Sequence, residues 1–242
     1  MLNTLPFFYD KDCRNNIIIK LNDDEAKHAI KSLRLRKEDR IIITNGKGQI
    51  FEGIIIDDNI KNATIKIIEE REITKPKYNL HIAIAILHQA ERFEWFIEKA
   101  VEIGISEITP LITQRTEKKS IKIERLQKVA ISALKQSRQS YLPKINNPML
   151  FNDFMHSLKP LNNVNKAIAA CIGTNINIKN WLKENKTTNA YIILIGPEGD
   201  FSDYEINEAI NNNFVPINLG NSVLRSETAG VFVCSLFRNK FI

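Results

Sequence analysis

The sequence predicts an α/β protein in two parts, a smaller β-rich N-terminal domain and a larger C-terminal domain built on a parallel sheet. Three observations predict this. Ile-rich runs broken by short polar turns follow one another before Glu69; apolar strands alternate with helical segments beyond Pro76; and two strand ends near the C-terminus stop at glycine, Gly196 and Gly220. With 242 residues, 43% of them hydrophobic, the chain can bury a sizeable core.

In the first part, Asn22 or Asp23 can cap a helix in which Ala26, Ile30 and Leu33 share a face. Strands are expected at Arg40 to Thr44, Gln49 to Ile56 and Ala63 to Ile68, separated by Asn45-Gly46-Lys47-Gly48 and Asp57-Asp58-Asn59, both good turn chemistry. This is the pattern of a small antiparallel sheet or barrel. The charged stretch Glu69 to Tyr78, ending in Lys75-Pro76-Lys77, is read as a linker, which divides the chain into domains 1–74 and 75–242.

Beyond the linker, strands are expected at His81 to Leu87, Glu107 to Ile112, Lys166 to Cys171, Tyr191 to Ile195 and Val215 to Leu219. Helices are expected near Glu91 to Ile103, Ile123 to Ser137, Ser202 to Asn211 and Glu227 to Arg238. Such alternation predicts a mostly parallel sheet covered on both faces. Trp95 and Phe96 fall on an amphipathic helix and are assigned to the core.

The 34 Lys and Arg against 28 Asp and Glu give a formal charge of +6, which favours a polyanion such as nucleic acid and equally fits a merely basic soluble protein. Cys13, Cys171 and Cys234 are too scattered for a disulfide framework or a zinc site. No metal is expected, no segment reads as a membrane span or export signal, and a reducing cytoplasm is the expected location.

In open α/β sheets ligands bind beyond the carboxyl ends of strands. Gly196-Pro197-Glu198-Gly199-Asp200 lies at such an end, and Ser202 with Glu205 has capping-box spacing for the next helix. The loop carries two carboxylates and no Lys or Arg, so a phosphate fits poorly. A ligand that is uncharged or partly cationic fits better, and S-adenosyl-L-methionine is one. A turn that needs glycine only for its backbone shape explains the same residues.

The chain resembles the SPOUT methyltransferases, and within them the RsmE family of small-subunit (16S) ribosomal RNA uridine-N3 methyltransferases. The resemblance rests on Ile195-Gly196-Pro197-Glu198-Gly199 with Phe201-Ser202, and on Leu219-Gly220 leading to Val223-Leu224-Arg225 and Glu227-Thr228-Ala229. Glu98 to Gly104, Pro110 to Arg115, Arg125, Gln136-Ser137, and His28 with Leu33-Arg34 extend it in order along nearly the whole chain. It implies a PUA-like β-barrel for RNA, a C-terminal domain tied in a trefoil knot, a methyl donor in the knotted loops, and a homodimer packed around them.

Carried over by position, the donor-binding candidates are Ile195, Gly196, Pro197, Glu198, Gly199, Leu219, Gly220, Val223, Leu224, Thr228 and Ala229, with Cys171 and Gly173 as a third wall. Arg225 is the candidate for stabilising negative charge on the uracil oxygens, and Glu198 for accepting or orienting a proton. A salt bridge from Arg225 to Glu227 or to a partner subunit, and a hydrogen bond at Glu198 holding the turn, are the structural readings of the same two residues. Candidate RNA contacts are His28, Arg34, Arg36 and Lys37 in the first part, and Arg115, Lys118, Lys119 and Arg138 in the second. Ribose 2′-O methylation of RNA and a non-catalytic RNA-binding assembly role are the alternatives to uridine-N3 methylation.

Overall fold

The computed structural model describes residues 5–14, 18–158, 163–170, 176–185 and 188–241. The chain forms two compact units, one of Met1–Lys75 with Ile131–Leu142, the other of Pro76–Ala130 with Pro143–Ile242. Composition places a single division between residues 74 and 75. The return of 131–142 to the first unit is a long-range association that composition does not carry.

In the first unit, strands β1 (Phe7–Tyr9), β2 (Ile18–Lys20), β3 (Arg40–Thr44), β4 (Gln49–Asp57) and β5 (Thr64–Glu72) form one sheet in the order β1-β3-β4-β5-β2. All its pairings are antiparallel except the parallel pair β1–β3. Alternation sends Ile41, Ile43, Phe51, Ile55, Ile65 and Ile67 into a core completed by Phe8, Ala26 and Ile30. β1 and β2 are three residues long, too short for alternation to reveal them. Strand β5 continues through Glu69 to Glu72, so the charged stretch read as a linker is partly strand; β4 pairs with it there, Glu52 opposite Glu69 and Gln49 opposite Glu72.

Helix α1 (Asp23–Lys27) starts at Asn22, whose Oδ1 accepts a hydrogen bond from the Glu25 amide at 3.0 Å, and its acidic first turn suits the helix dipole. It runs on into a π-helical turn, His28–Ser32. The wider turn breaks the 3.6-residue register. Ala26 and Ile30 are buried as expected, whereas Leu33 ends 42% exposed.

The second unit holds β6 (Asn79–Ala85), β7 (Glu107–Ile112), β8 (Lys144–Ile145), β9 (Met149–Leu150), β10 (Asn165–Ala169), β11 (Ile176–Asn177), β12 (Ala190–Ile195) and β13 (Val215–Asn218). The order is β11-β13-β10-β12-β6-β7-β8, with β9 also on β7, and every pairing among the described residues is parallel. Helices α2 (Ala90–Ile103), α4 (Phe151–Ser157), α5 (Ile178–Glu184), α6 (Asp203–Asn211) and α7 (Ser226–Phe241) connect and cover it, while α3 (Ile123–Ser137) begins in this unit and ends in the first. The strands read as continuous apolar runs because both faces are buried.

One core cluster gathers Ala83, Leu111, Phe154, Met155, Ile168, Leu194, Phe201 and Phe214. Phe93, Phe96, Val233 and Phe237 from α2 and α7 are also fully buried. Trp95, expected in the core, is 42% exposed, because α2 turns Phe93, Phe96 and Ile97 inward instead. The seven-residue helices α4 and α5 escape sequence reading, being too short to show a periodic face.

Candidate active site

The two glycine-marked loops converge. The loop after β12 and the loop after β13 lie at the carboxyl ends of strands flanking β10, as parallel pairing of β10 with both requires. Together they line a cavity of about 310 Å³. Ile195, Gly196, Pro197 and Glu198 come from the first loop, and Leu219, Gly220, Val223 and Leu224 from the second, with Ala229 from α7. Sequence reading missed Ala169 and Ala170 at the end of β10, Asp200, and the stretch Asn221-Ser222; only position beside the glycine motifs could have flagged the last two.

A buried hydrogen bond ties the loops to each other: Ser226 Oγ donates to the Gly196 carbonyl at 2.7 Å. Arg92 of α2 ties them again. Its Nε and Nη2 donate to Glu227 Oε1 and Oε2 at 2.9 and 2.7 Å, while Nη1 donates to Glu198 Oε1 at 3.0 Å. Glu227 is therefore the partner of Arg92 and not of Arg225. Arg225 itself is exposed and makes no ion pair among the described residues.

The glycines play different parts. Gly220 has φ +126° and no atom within 4 Å of where a Cβ would stand, so backbone conformation demands glycine there. A Cβ on Gly196 would press within 3.1 Å of the Phe201 ring. Gly199 does not line the cavity. It faces Arg115, whose Nη1 donates to the carbonyls of Gly199 and Phe201 at 2.7 and 3.2 Å. Arg115, a candidate RNA contact, thus braces the first glycine loop.

The brace extends through Glu205, which is buried. Its Oε2 accepts from the Ser202 amide, completing the capping box of α6, and its Oε1 accepts from the Gln114 amide at 2.8 Å. The Thr113–Thr116 turn and the glycine loop are thereby locked together.

Thr228 is exposed and lies off the cavity, and Cys171 and Gly173 lie outside the described residues. Lys118 and Lys119 are exposed on the second unit. His28, Arg34, Arg36, Lys37 and Arg138 are exposed on the first. His28 meets Phe8 edge-on at 5.9 Å, and Arg36 lies 3.9 Å from Asp58.

None of the side chains lining the cavity among the described residues is basic, whereas Glu198 and Asp200 are acidic and Ile195, Ile217, Leu219, Leu224 and Ala229 are apolar. The donor set suits a ligand with apolar parts and a cationic centre. No group of His, Cys, Asp and Glu suited to a metal ion occurs among the described residues, and no helix there is long and apolar enough to cross a membrane.

Comparison with known proteins agrees with this geometry. The RNA methyltransferase domain family matches residues 74–238, and the RNA methyltransferase PUA domain family matches residues 21–68. Fold and site thus define the class, an RNA methyltransferase with a PUA domain. Ribosomal RNA small subunit methyltransferase E of Buchnera aphidicola subsp. Acyrthosiphon pisum is 33% identical, covering 98% of this chain and 94% of the relative; that of Mesomycoplasma hyopneumoniae is 32% identical over 93% and 96%.

Among solved structures, a probable rRNA-methyltransferase from Porphyromonas gingivalis superposes with a TM-score of 0.88 at 33% identity over 98% of both chains. Ribosomal RNA small subunit methyltransferase E from Neisseria gonorrhoeae, solved bound to S-adenosyl methionine, shares the fold with a TM-score of 0.88 at 23% identity over 98% of both chains. The chain belongs to the ribosomal RNA small subunit methyltransferase E family, with a SPOUT-type α/β fold.

Proposed function

We propose that this protein methylates N3 of a uridine in small-subunit ribosomal RNA with S-adenosyl-L-methionine as donor. The observation that carries the reading is the acidic and apolar cavity where the two glycine loops meet at the carboxyl ends of β12 and β13. Glu198 and Asp200 suit a ligand bearing positive charge, and the apolar walls suit its uncharged parts. When bound, the donor supplies an electrophilic methyl group on a sulfonium. The order of strands, with β13 between β11 and β10, supports placing these loops in a knotted region.

The protein's own task is to hold a uracil with N3 deprotonated in line with that methyl. Arg225 stands between the lining residues Leu224 and Ser226, and its exposed guanidinium is suited to stabilise charge spreading onto the uracil oxygens. Glu198, on the cavity wall and steadied by Arg92, is suited to accept or orient the N3 proton. The first unit, with Arg34, Arg36 and Lys37 exposed, supplies RNA affinity.

We assign a homodimer formed through the second unit. Its support is the half-buried stripe Val231, Phe232 and Leu236 on α7, and Val223, which is 88% exposed in the second loop. A ribosomal RNA substrate supports a cytoplasmic location.

The deciding experiment is mass mapping of ribosomal RNA incubated with the protein and isotopically labelled donor. The label is expected on one uracil base. Reverse transcription should stop beside it, because N3–H is a pairing donor. A label on a ribose, or none, overturns the assignment.

A further inference from the structure

The outer face of the first unit's sheet carries a hollow that donor binding does not use. Phe7, Ile42, Glu52 and Glu69 stand opposite one another across β1, β3, β4 and β5, and Ile50 pairs with Arg71 in the neighbouring row. These residues share one face; Phe8, Ile41, Ile43 and Phe51 alternate to the core face. A sheet packed on one side should be polar on the other. Here the outer face is apolar at its centre, with Ile42 only 3% exposed, and it holds a buried carboxylate, Glu52, at 7%.

With Ile73 and Arg138 these side chains enclose a cavity of about 160 Å³. Its rim is held in place. Glu52 Oε1 accepts from Arg40 Nη1 at 3.0 Å, Arg71 donates to both oxygens of Glu69 at 2.5 and 2.8 Å, and Arg138 Nη2 donates to the Leu5 carbonyl at 2.9 Å.

The charges lining the hollow cancel, Glu52 and Glu69 against Arg71 and Arg138. A phosphate would meet carboxylates, and a lipid tail would strand the charged rim. What fits is a flat, uncharged group with an apolar face and both donors and acceptors on its edge. A nucleobase has that form, and guanine matches best: its N1–H and N2 amino group can donate to a carboxylate while O6 and N7 accept from a guanidinium.

We infer that this hollow binds one unpaired guanine of the RNA substrate, packed against Phe7, Ile42 and Ile50 and read by Glu52 with Arg71 and Arg138. The inference rests on the reading of the protein as an RNA methyltransferase and adds a base-reading site separate from the methylated uridine.

The test measures binding of the full chain to a uridine hexaribonucleotide carrying one central guanosine, and to the same oligomer with inosine or adenosine at that place. Guanosine should bind about ten-fold or more tighter than adenosine, with inosine between them because it lacks the N2 amino group. Glu52→Gln should abolish the guanosine preference, and Phe7→Leu should weaken all three oligomers. Thermal melting and donor binding check that each variant folds. Should Glu52→Gln not fold, Arg138→Ala on the exposed rim should reduce the same preference.

Equal affinity of the wild type for guanosine and adenosine overturns the inference, as does a preference unchanged in the folded variants. The enzymatic reading is tested apart: methyl transfer without base preference sinks the hollow alone, and base preference without methyl transfer sinks the enzymatic reading alone.

Discussion

Arg92 grips both carboxylate oxygens of Glu227, at 2.9 and 2.7 Å, from a neighbouring helix. Glu227 is buried in the first turn of α7, directly after the second glycine loop, and the third Arg92 bond reaches Glu198 in the first. One guanidinium therefore sets the spacing of both loops, using the planar fork that suits two carboxylates at once.

Replacing Arg92 with Met should destabilise the fold by about 2–4 kcal/mol, because it leaves Glu227 buried without its cation. Arg92→Lys keeps the charge and loses the fork. It should fold better than Arg92→Met yet bind donor less tightly than wild type. Urea denaturation and calorimetric titration with S-adenosyl-L-methionine check the two effects separately.

Gly220→Ala should cost about 1–3 kcal/mol through strain at φ +126° and weaken donor binding. Gly199→Ala places a Cβ at ordinary contact distance, 3.6 Å from Arg115, outside the cavity, and should leave donor affinity within about two-fold of wild type. Calorimetry on the pair separates a glycine needed for its backbone conformation from one whose position tolerates a Cβ.

Acid should weaken the fold partly through His81. Its imidazole is half-buried, hydrogen-bonded to Thr109 Oγ1 at 2.8 Å and packed edge-on against Phe154. Burial pulls its pKa from 6.5 down to about 4, against the opposing pull of Glu107. Between those values the unfolded chain binds the proton and the folded chain does not, so stability falls as pH drops from 6.5 toward 4, by on the order of 2–3 kcal/mol. Chemical denaturation across that range should show the loss. In His81→Asn the slope should flatten, leaving the contribution of Glu107, whose depressed pKa also favours the fold at higher pH.

Alanine at Arg34, Arg36 and Lys37 together should weaken RNA binding and lower the slope of log affinity against log salt by roughly one for each phosphate no longer neutralised. Donor binding in the second unit should not change. Filter binding over a salt series, beside calorimetry with the donor, checks both halves.

Local pattern makes much of this legible in the sequence alone. The alternation of β12 and β13 with capped helices marked a parallel sheet, and Gly196 and Gly220 marked two strand ends, since strand period, capping chemistry and glycine placement are properties of a few adjacent residues. What remained hidden is long-range. That Ile131–Leu142 joins the first unit, that Arg92 and not Arg225 partners Glu227, and that Arg115 braces Gly199 depend on residues far apart in the chain, 84 positions for the last pair and 135 for the one before it, meeting in space. The outer-face row of Phe7, Ile42, Glu52 and Glu69 is of the same kind. Each strand alone shows only alternation, and the register between strands, decided by tertiary pairing, lines those side chains up into one hollow.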